Sequence, residues 1–544
     1  MRLATCGQMA MIDLETIKAF GVPSLLLMEH AGIETVRALE NRGLARGRIA
    51  VVTGGGNNAG DGLVIARLLA RRGLDVRVHA LKEEARLSAD AGVNLKALSS
   101  VSCPVQYIQD ASQLQGFLSD ADVIVDAILG TGTRGELRED ARTAVEAINS
   151  SPGIRVCVDI PSGLDGDLGM DLGAVVRGDF TVTYGLPKRG FFAGVGPLKT
   201  GQLVVADIGF PESVLTGFAE THRLTTGGWA RRTLPLREPG DHKYDHGRVL
   251  IIGGSRGMLG APILAAKAAL RSGVGLVRLA IPDDASIAVA AQEPEFLVTG
   301  LRVNAAGVVC EESVLALEPL LAHVDSVVIG PGLSREPGVR GFVKALLERI
   351  HSLEEQGHDP IPTVVDADAL HDICPADALP AVCILTPHAG EATRLSRTAS
   401  ASTPFDLADA DQRARILGDA FRSRIVLKGP QTVTWASSGS IFVNGTASPG
   451  LAVAGSGDIL AGLIGGLMAQ GAVNRTRKRI ECQPGELEAL AVYLHGLASK
   501  LAESIGSERS LTPQLVLDFI PRAFRDIVDL GYSSFHPLDP VTRP

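Results

Sequence analysis

The sequence is poor in aromatic residues, has no excess of positive charge and lacks a long hydrophobic run. Aromatic residues make up only 4% of the 544 residues, which argues against a surface for stacking nucleic-acid bases. Lysine and arginine number 52 against 61 aspartates and glutamates, a net charge of −9, which disfavours general binding to nucleic acid. The most apolar stretch, 459–469, is too short to cross a bilayer. We therefore expect neither a nucleic-acid nor a membrane partner.

The seven cysteines show no disulfide or metal-binding spacing. They are scattered, odd in number and form no CxxC pair, which predicts free thiols in a reducing compartment. Asp13 and Glu15 occupy the region where a secretory signal peptide needs an apolar core. A content of 45% hydrophobic and 21% charged residues excludes a disordered chain or a coiled coil. These features predict a folded, cytoplasmic protein.

Two series of short apolar runs alternate with amphipathic helical patterns. The first comprises RIAVVT, DVRVHA, DVIVDAIL, IRVCVDI, FTVTYG and QLVVADIG, and the second begins at RVLIIGG and ends at TVTW. Such runs are typical of parallel sheets covered by helices on both faces. The stretch 210–247 between them is rich in proline and charge, which indicates a linker. We predict two doubly wound α/β domains, 1–222 and 235–544, and an exposed loop at 475–483.

The first glycine-rich segment, TGGGNNAGDG at 53–62, lies between a predicted strand and a predicted helix. Glycines allow the backbone to approach a ligand, and the start of a helix favours anions. Asn57, Asn58 and Asp61 add polar side chains there. We therefore predict a binding loop. The alternative is a turn in which Asp61 merely caps the helix.

Two further segments of the first region carry carboxylates at predicted strand ends. DAILGTGTRGE at 126–136 contains GxGxxG, a weak dinucleotide-binding signal here because no clear helix begins at Gly135. Asp126 offers an oxygen ligand for a cation, and the alternative is a purely structural loop. In VDIPSGLDGD, Asp159 ends a strand and Ser162 follows. A carboxylate at such an edge can act as a general acid or base, or it can cap the next helix.

In the second region, SPGLAVAGSGDILAG places Gly455, Gly457 and Asp458 at the start of an apolar helix. This pattern is typical of an anion-binding loop. An aspartate inside it suits removal of a proton from a hydroxyl that attacks a phosphate, although an N-cap is the alternative. GGSRG matches the GxSxG hydrolase motif, but a catalytic triad lacks support and a substrate-covering loop fits better. No GxxxxGK[ST] motif occurs.

The ordered motifs resemble two enzyme families and together cover nearly the whole chain. The first region resembles NAD(P)H-hydrate epimerases through SLLLMEHAG, GGGNNAGDG, VDAILGTGTRG and VDIPSGLDGD. The second resembles ADP/ATP-dependent NAD(P)H-hydrate dehydratases, relatives of ribokinase-type kinases, through GGSRGMLGAPILAAKAALRSGVGLV, GPGL, VDADAL, TPHAGE, LKG and AGSGDILAG. The pair resembles the bifunctional nicotinamide nucleotide repair family. This implies an N-terminal Rossmann-like three-layer domain and a C-terminal ribokinase-like domain.

The resemblance also implies roles for individual residues. In the epimerase domain, the substrate-binding residues would be Asn57, Asn58, Ala59, Gly60, Asp61, Gly130, Thr131, Gly132, Thr133, Arg134, Gly135, Glu136 and Asp159. Asp159 would also be the acid–base group, and a potassium ion would be held by Asn58, Asp126 and Ser162. In the dehydratase domain, the hydrate would contact Gly260, Gly332, His388 and Asp458, and the nucleotide would contact Lys428, Gly429, Pro430, Gln431, Thr432 and Gly457. Asp458 would be the catalytic base, with ADP bound together with Mg²⁺.

The expected substrates are hydrated NADH and NADPH (NADHX and NADPHX) and ADP, and the expected assembly is a homo-oligomer. The sequence departs from the family pattern at His30 and Ala59, which replace an asparagine and a glycine. If position 59 needs a positive φ, the added methyl group alters the loop and weakens the epimerase. Ala389 and Ser456 also depart from the pattern, and we expect both to be tolerated. His388 can equally be a helix cap.

The implied function is repair of hydrated nicotinamide cofactors. The R and S hydrates would be epimerised, and the S form would be dehydrated to NAD(P)H with conversion of ADP to AMP and phosphate. One alternative is a ribokinase-type small-molecule kinase with a regulatory, ligand-binding N-terminal domain. Another is an N-terminal binding module without chemistry. A dehydrogenase that uses GTGTRG is weaker, because no substrate-side histidine and arginine are evident.

Overall fold

The computed structural model describes residues 1–217, 222–371, 373–399, 405, 409–437, 439–446, 448–477, 482–530 and 536–542. It divides into two compact units. The N-terminal unit comprises Arg2–His222 with Pro540–Pro544, and the C-terminal unit comprises Met1 with Arg223–Asp539. These ranges differ from the predicted 1–222 and 235–544 at three places, the first of which is Met1, a part of the C-terminal unit. Residues 223–234 are part of the C-terminal unit, and the last residues of the chain are part of the N-terminal unit.

Strands and helices alternate through both units. The strands are β1 (Arg48–Thr53), β2 (Asp75–Ala80), β3 (Val105–Tyr107), β4 (Val123–Ala127), β5 (Ile154–Val158), β6 (Phe180–Tyr184), β7 (Gln202–Ala206), β8 (His222–Leu224), β9 (Arg248–Ile252), β10 (Leu276–Pro282), β11 (Leu297–Leu301), β12 (Ser326–Ile329), β13 (Thr363–Val365), β14 (Cys383–Leu385), β15 (Arg424–Leu427), β16 (Val433–Trp435), β17 (Ile441–Val443) and β18 (Val541–Thr542). The α-helices are α1 (Cys6–Phe20), α2 (Ser24–Asn41), α3 (Asn57–Arg71), α4 (Ala89–Leu98), α5 (Leu114–Leu118), α6 (Glu139–Ser150), α7 (Gly196–Lys199), α8 (Glu212–Gly217), α9 (Gly227–Thr233), α10 (Gly260–Arg271), α11 (Asp283–Gln292), α12 (Glu318–Leu321), α13 (Pro337–Glu355), α14 (Ala389–Thr398), α15 (Ala410–Phe421), α16 (Ser456–Thr476), α17 (Glu486–Glu503) and α18 (Pro513–Val528).

The N-terminal sheet is parallel throughout its described strands, in the order β18-β7-β6-β5-β4-β1-β2-β3. Its central strands are buried runs of valine, isoleucine and alanine, as expected for a sheet with helices on both faces. The chain adds β2 and β3 on one side of β1 and then returns to place β4 on the other side. Ligands of such sheets bind at this reversal, beyond the carboxyl ends of the strands.

The C-terminal sheet follows the order β11-β10-β9-β12-β13-β14-β15-β16-β17-β8 over the described residues. Strands β11 to β15 pair in parallel, whereas β15, β16 and β17 pair antiparallel. The strand order reverses between β9 and β12, which places a second crevice there. Helix α16 packs closely on α10, because a Cβ at Gly462 would lie 2.0 Å from the carbonyl oxygen of Ala265. The predicted α/β fold class is confirmed.

Three expectations about local structure need correction. Residues 223–247 are more than a linker, because they contain part of β8 and all of α9, which complete the C-terminal unit. Arg475 and Thr476 end α16 instead of starting a loop, and residues 478–481 of the expected loop lie outside the described residues. Strands β3, β8, β11, β17 and β18 escaped the sequence analysis because they are short or lie toward sheet edges.

Helix α16 is longer than the apolar run that predicted it. Its 21 residues are long and apolar enough to cross a membrane by length and composition, and it is the one such helix among the described residues. However, 72% of its apolar window is buried inside the protein. Core helices of folded proteins pass the same test, so the helix is weak evidence for a membrane span. All seven cysteines are free.

Candidate active sites

A cavity of about 730 Å³ lies at the carboxyl end of the N-terminal sheet. Most residues predicted to bind the substrate of this unit line it, namely Asn57, Asn58, Asp61, Gly130, Thr131, Gly132, Thr133, Arg134, Glu136 and Asp159. Ala59, Gly60 and Gly135 are not among its described lining residues. The structure therefore brings the three glycine-rich segments of the first region to one place.

Helix α3 begins directly after β1, and Gly56 is its N-cap with no side-chain capping bond. Asp61 lies inside the helix, so the interpretation of Asp61 as a cap is wrong. Ala59 is also helical and fully buried, and it is absent from the residues with positive φ. The expectation that Ala59 needs a positive φ is therefore wrong, and its methyl group fits an ordinary helical position. Gly60 packs on Met28, where a Cβ would lie 2.5 Å from the sulfur.

Asp159 directly follows β5 in an uncommon left-handed conformation, with φ of 63°. Its Oδ1 accepts hydrogen bonds from Lys188 Nζ at 2.5 Å and Thr183 Oγ1 at 3.1 Å, and from the backbone N–H of Tyr184 at 3.2 Å. No helix begins among the described residues 159–179, so Asp159 is not a helix cap. Lys188 is only 1% exposed, and the sequence analysis missed it because a lysine in a loop is usually solvated.

Asn58, Asp126 and Ser162 form a polar group beneath the cavity. Ser162 donates to the two carboxylate oxygens of buried Asp126, through Oγ at 2.6 Å and the backbone N–H at 2.8 Å. Burial raises the pKa of Asp126 to about 6, although these hydrogen bonds lower it. Leu129 joins the group, because its N–H donates to Ser162 Oγ at 2.9 Å and its carbonyl accepts from Asn58 Nδ2 at 2.9 Å. The Oδ1 of Asn58 is buried with no hydrogen-bond partner among the described residues. An unpartnered oxygen acceptor in such an all-oxygen set suits a hard cation.

Two further carboxyl groups, Asp13 and Asp61, line the same cavity. Loss of hydration raises the pKa of Asp13 to about 6, and the nearby charge of Asp159 adds to this while Lys188 opposes it. The same causes raise the pKa of the more deeply placed Asp61 well above its ordinary value. In the sequence, Asp13 served only as evidence against a signal peptide. Its position at the cavity depends on how α1 folds over the sheet.

In the C-terminal unit, Asp458 is the third residue of α16. The N-cap of this helix is Gly455, with φ of 95°, so Asp458 is not an N-cap aspartate. Burial raises the pKa of Asp458 to about 7, with a further rise from the charge of Asp366 and an opposing effect from Lys428. A carboxyl group of this kind exchanges its proton near neutral pH.

Lys428 and Asp366 form a buried ion pair beside Asp458. Lys428 Nζ lies 2.7 Å from Asp366 Oδ1, and the same oxygen accepts from Thr386 Oγ1 at 2.6 Å. Glu391 Oε2 lies 4.0 Å from the lysine. A Cβ at Gly457 would lie 3.4 Å from Lys428 Nζ, so the helix start and the lysine are neighbours. The strand ends of β13, β14 and β15 thus carry one charged cluster.

The other residues predicted for the C-terminal site lie at strand ends or helix starts. Gly260 begins α10, and Gly332 follows β12 with φ of 67°, where a Cβ would lie 2.4 Å from the Met258 carbonyl oxygen. His388 is the N-cap of α14, since its Nδ1 accepts from the N–H groups of Gly390 at 3.0 Å and Glu391 at 3.3 Å. Residues 428–432 lead from β15 to β16. The capping role of His388 is thus observed, and its contact with substrate remains a prediction.

Comparisons with known proteins match both units. A family model described as NAD(P)H-hydrate dehydratase matches residues 249–522, and one described as YjeF-related protein N-terminus matches residues 24–190. A bifunctional NAD(P)H-hydrate repair enzyme from Moorella thermoacetica is 37% identical over 540 residues, which is 97% of each chain. The chain belongs to the bifunctional NAD(P)H-hydrate repair family. The resemblance predicted from the motifs is confirmed.

Solved structures resemble parts of this repair-family chain. An ADP/ATP-dependent NAD(P)H-hydrate dehydratase from Bacillus subtilis, co-crystallized with ATP and Mg²⁺, is 26% identical. It covers 56% of this chain and 97% of its own, with a TM-score of 0.43. A ribokinase-like superfamily protein from Enterococcus faecalis is 24% identical and covers 57% of this chain and 99% of its own, with a TM-score of 0.47.

Proposed function

We propose that the protein repairs hydrated nicotinamide nucleotides with two activities. The N-terminal unit interconverts the R and S epimers of NADHX and NADPHX. The C-terminal unit dehydrates the S epimer while ADP is converted to AMP and phosphate. The observation that carries the proposal is Asp458, whose pKa of about 7 and position at the start of α16, beside Lys428, suit a base in phosphoryl transfer.

In the C-terminal unit, Asp458 takes the proton from the hydroxyl group of the hydrate. The resulting oxygen attacks the terminal phosphoryl group of ADP, which is bound through residues 428–432 and the Gly457 region at the start of α16. Phosphate is a far better leaving group than hydroxide, so its loss with a ring proton restores the dihydropyridine. Magnesium bound together with ADP would supply positive charge that neutralises the phosphoryl group. Gly260, Gly332 and His388 position the hydrate so that one epimer aligns.

In the N-terminal unit, the cavity binds the hydrate, and Asp159 contacts the reacting ring. Gly130 and the residues that follow it, with Asn57 and Asp61, bind the rest of the nucleotide. Asn58, Asp126 and Ser162 would hold potassium, and the unpartnered oxygen of Asn58 supports this assignment. The ion would tie the start of α3 to the ends of β4 and β5 and so help to shape the cavity. Ala59 and Gly60 contribute as residues of the first turns of α3, and Gly135 contributes through its left-handed backbone, with φ of 70°.

We further propose that the protein is a homo-oligomer of the cytoplasm. Seven free cysteines support a reducing compartment.

The pairing of the two activities in one chain has a chemical reason. Only one epimer aligns with the phosphoryl group, so the other is wasted unless it is first converted.

One experiment separates this function from its alternatives. An equal mixture of both NADHX epimers is incubated with ADP and Mg²⁺, and the return of dihydronicotinamide absorbance is followed. Recovery of nearly all the substrate requires both activities. If only the S epimer is converted to NADH, the N-terminal unit is a binding module. A stable phosphorylated product without release of phosphate identifies a kinase and refutes the proposal.

A further inference from the structure

Among the charged groups that line the cavity of the N-terminal unit, three carboxyl groups and one ammonium group interact with one another through their charges. They are Asp13 of α1, Asp61 of α3, Asp159 after β5 and Lys188 after β6. A single lysine neutralises one carboxylate, and like charges this close disfavour ionisation of the others. Carboxyl groups in one site with different surroundings take different roles as proton donor and anion. The surroundings of each carboxyl group therefore indicate which one donates a proton and which one is the anion.

Asp159 is the carboxyl group that forms an ion pair with Lys188. Three donors converge on its Oδ1, and the closest is the ammonium group of Lys188 at 2.5 Å. Hydrogen bonds and a positive charge both favour the ionised form of a carboxyl group. Lys188 also donates to Thr183 Oγ1 at 2.8 Å, so its position is fixed from two sides. Since these donors occupy Asp159, the role of proton donor is left to another carboxyl group.

Asp13 has the opposite environment. It reaches the cavity from α1, and no hydrogen bond from a described residue reaches its carboxyl group. Its pKa of about 6 allows it to release a proton and take it back. Asp61 also lacks such hydrogen bonds, and burial and the charges of Asp159 and Asp13 raise its pKa well above the ordinary value. However, Asp61 is half-buried within α3, whereas Asp13 is exposed to the cavity and so more accessible to a substrate there.

We propose that Asp13 is the proton donor of the epimerisation, and that Asp159, fixed as an anion by Lys188, stabilises the positive ring that forms. This inference rests on the proposed function. Asp13 protonates the hydroxyl group as the carbon–oxygen bond breaks, and the electron pair of that bond leaves with water. The ring nitrogen supplies its lone pair to form the carbon–nitrogen double bond. Water then adds to the opposite face and loses one proton to solvent, and Asp13 takes up one proton from solvent. The step therefore balances without an oxidant or reductant.

The charge of Asp13 depends on the groups around the cavity. The titratable and charged side chains that line it are Asp61, Lys82, Asp90, Arg134, Glu136, Arg138, Asp140, Asp159, Tyr184 and Lys188. Asp159 raises the pKa of Asp13 and Lys188 lowers it. Since Asp13 must be protonated at the start of each turnover, epimerisation slows as the pH rises above about 6.

The test is Asp13→Asn, compared with Glu15→Gln, an exposed carboxylate on the same helix. We expect Asp13→Asn to slow epimerisation roughly 100-fold or more and to abolish the loss of rate above pH 6, because general acid catalysis is removed. Glu15→Gln keeps both the rate and the pH profile. Hydrogen exchange read by mass spectrometry reports that the N-terminal unit of Asp13→Asn is folded, and dehydration of purified S epimer reports that the C-terminal unit is active. The inference is wrong if Asp13→Asn has the wild-type rate. It is also wrong if Asp61→Asn loses the pH dependence while Asp13→Asn keeps it.

Two further measurements separate the inference from the proposed function. Epimerisation in water labelled with ¹⁸O, corrected for the spontaneous reaction, introduces one solvent oxygen per turnover if the carbon–oxygen bond breaks. Retention of the original oxygen means ring opening and overturns the donor role of Asp13. In Lys188→Met, the fall in rate moves to higher pH, and an unmoved profile also contradicts the inference. A wild-type enzyme that interconverts no epimers refutes the proposed function itself.

Discussion

The two candidate sites hold the same kind of ion pair in different surroundings. Lys188 Nζ lies 2.5 Å from Asp159, and Lys428 Nζ lies 2.7 Å from Asp366, in each case at the carboxyl end of a parallel sheet. In the first pair the lysine is 1% exposed and the carboxylate 16%, whereas in the second the values are 19% and 1%. Thus the buried partner is the cation in the N-terminal unit and the anion in the C-terminal unit.

Each pair leaves a second carboxyl group that titrates near neutral pH. The pKa is raised to about 6 for Asp13 and to about 7 for Asp458. In each site, a single lysine pairs with one carboxyl group and leaves another without an ion-pair partner. One carboxylate is bound in the ion pair with the lysine, and the unpaired carboxyl group is free to exchange protons. Loss of a hydroxyl group needs a proton donor, whereas attack of a hydroxyl group on a phosphate needs a base.

The largest expected effect comes from Asp458→Asn. Without a base, we expect ADP-dependent dehydration to fall about 10²- to 10⁴-fold, because that is the usual contribution of general base catalysis. Epimerisation stays at the wild-type rate, since its proton donor lies in the other unit. The measurement is recovery of dihydronicotinamide absorbance from pure S epimer. Asp518→Asn, an exposed aspartate of α18, is the matched control. Normal dehydration by Asp458→Asn would remove the base from the proposed mechanism.

The next prediction compares Lys428→Met with Lys188→Met. Removal of one partner leaves an unpaired buried charge, which costs about 3 kcal/mol or more in the free energy of unfolding. The orphaned Asp366 is 1% exposed and keeps one side-chain hydrogen bond, from Thr386, whereas Asp159 is 16% exposed and keeps two hydrogen bonds, from Thr183 and Tyr184. We therefore expect Lys428→Met to destabilise its unit more than Lys188→Met destabilises the other.

Each unit can be followed by itself. Both tryptophans of the chain, Trp229 and Trp435, belong to the C-terminal unit, so tryptophan fluorescence reports its unfolding in urea. Hydrogen exchange read by mass spectrometry reports the N-terminal unit. If Lys188→Met loses more stability than Lys428→Met, burial of the remaining carboxylate does not determine the loss in the free energy of unfolding.

A smaller effect is expected from pH. Asp458 must be ionised to act as a base, so dehydration rises as the pH increases through about 7. Asp13 must be protonated to act as an acid, so epimerisation falls as the pH increases through about 6. Each slope is at most tenfold per pH unit, because a single proton is involved. The measurement is kcat/KM as a function of pH, determined separately for dehydration and for epimerisation. If both steps respond to pH in the same direction, the proposed difference between Asp458 and Asp13 is wrong.

The sequence predicts the fold and much of each site because those features are local. Apolar runs and glycines at their ends predict the strands and the loops, and thus Asp126 and Asp159. Lys188 escapes such reasoning, because its burial depends on Thr183 and Asp159, which the sheet brings together. Asp13 escapes it because its place at the cavity depends on the packing of α1. Short edge strands such as β18 carry too few residues for a pattern.

The smallest expected effect concerns the way helices begin at the two sites. In the N-terminal unit α3 starts at Gly56 with no side-chain cap, whereas in the C-terminal unit α14 starts at His388, whose Nδ1 accepts two backbone hydrogen bonds. His388→Ala removes this cap and costs about 1 kcal/mol in the free energy of unfolding, whereas His388→Asn keeps a capping oxygen and stays near wild type.

The same pair of variants decides whether His388 also binds the hydrate. The side chain is 59% exposed, and capping uses only one ring nitrogen. If His388 contacts the substrate, His388→Asn retains stability but raises the KM for the S epimer in dehydration. If the residue is a cap and nothing more, His388→Asn keeps both KM and stability, and only the alanine variant differs from wild type. Urea unfolding and the KM of dehydration therefore separate the two roles, because the asparagine variant preserves one and removes the other.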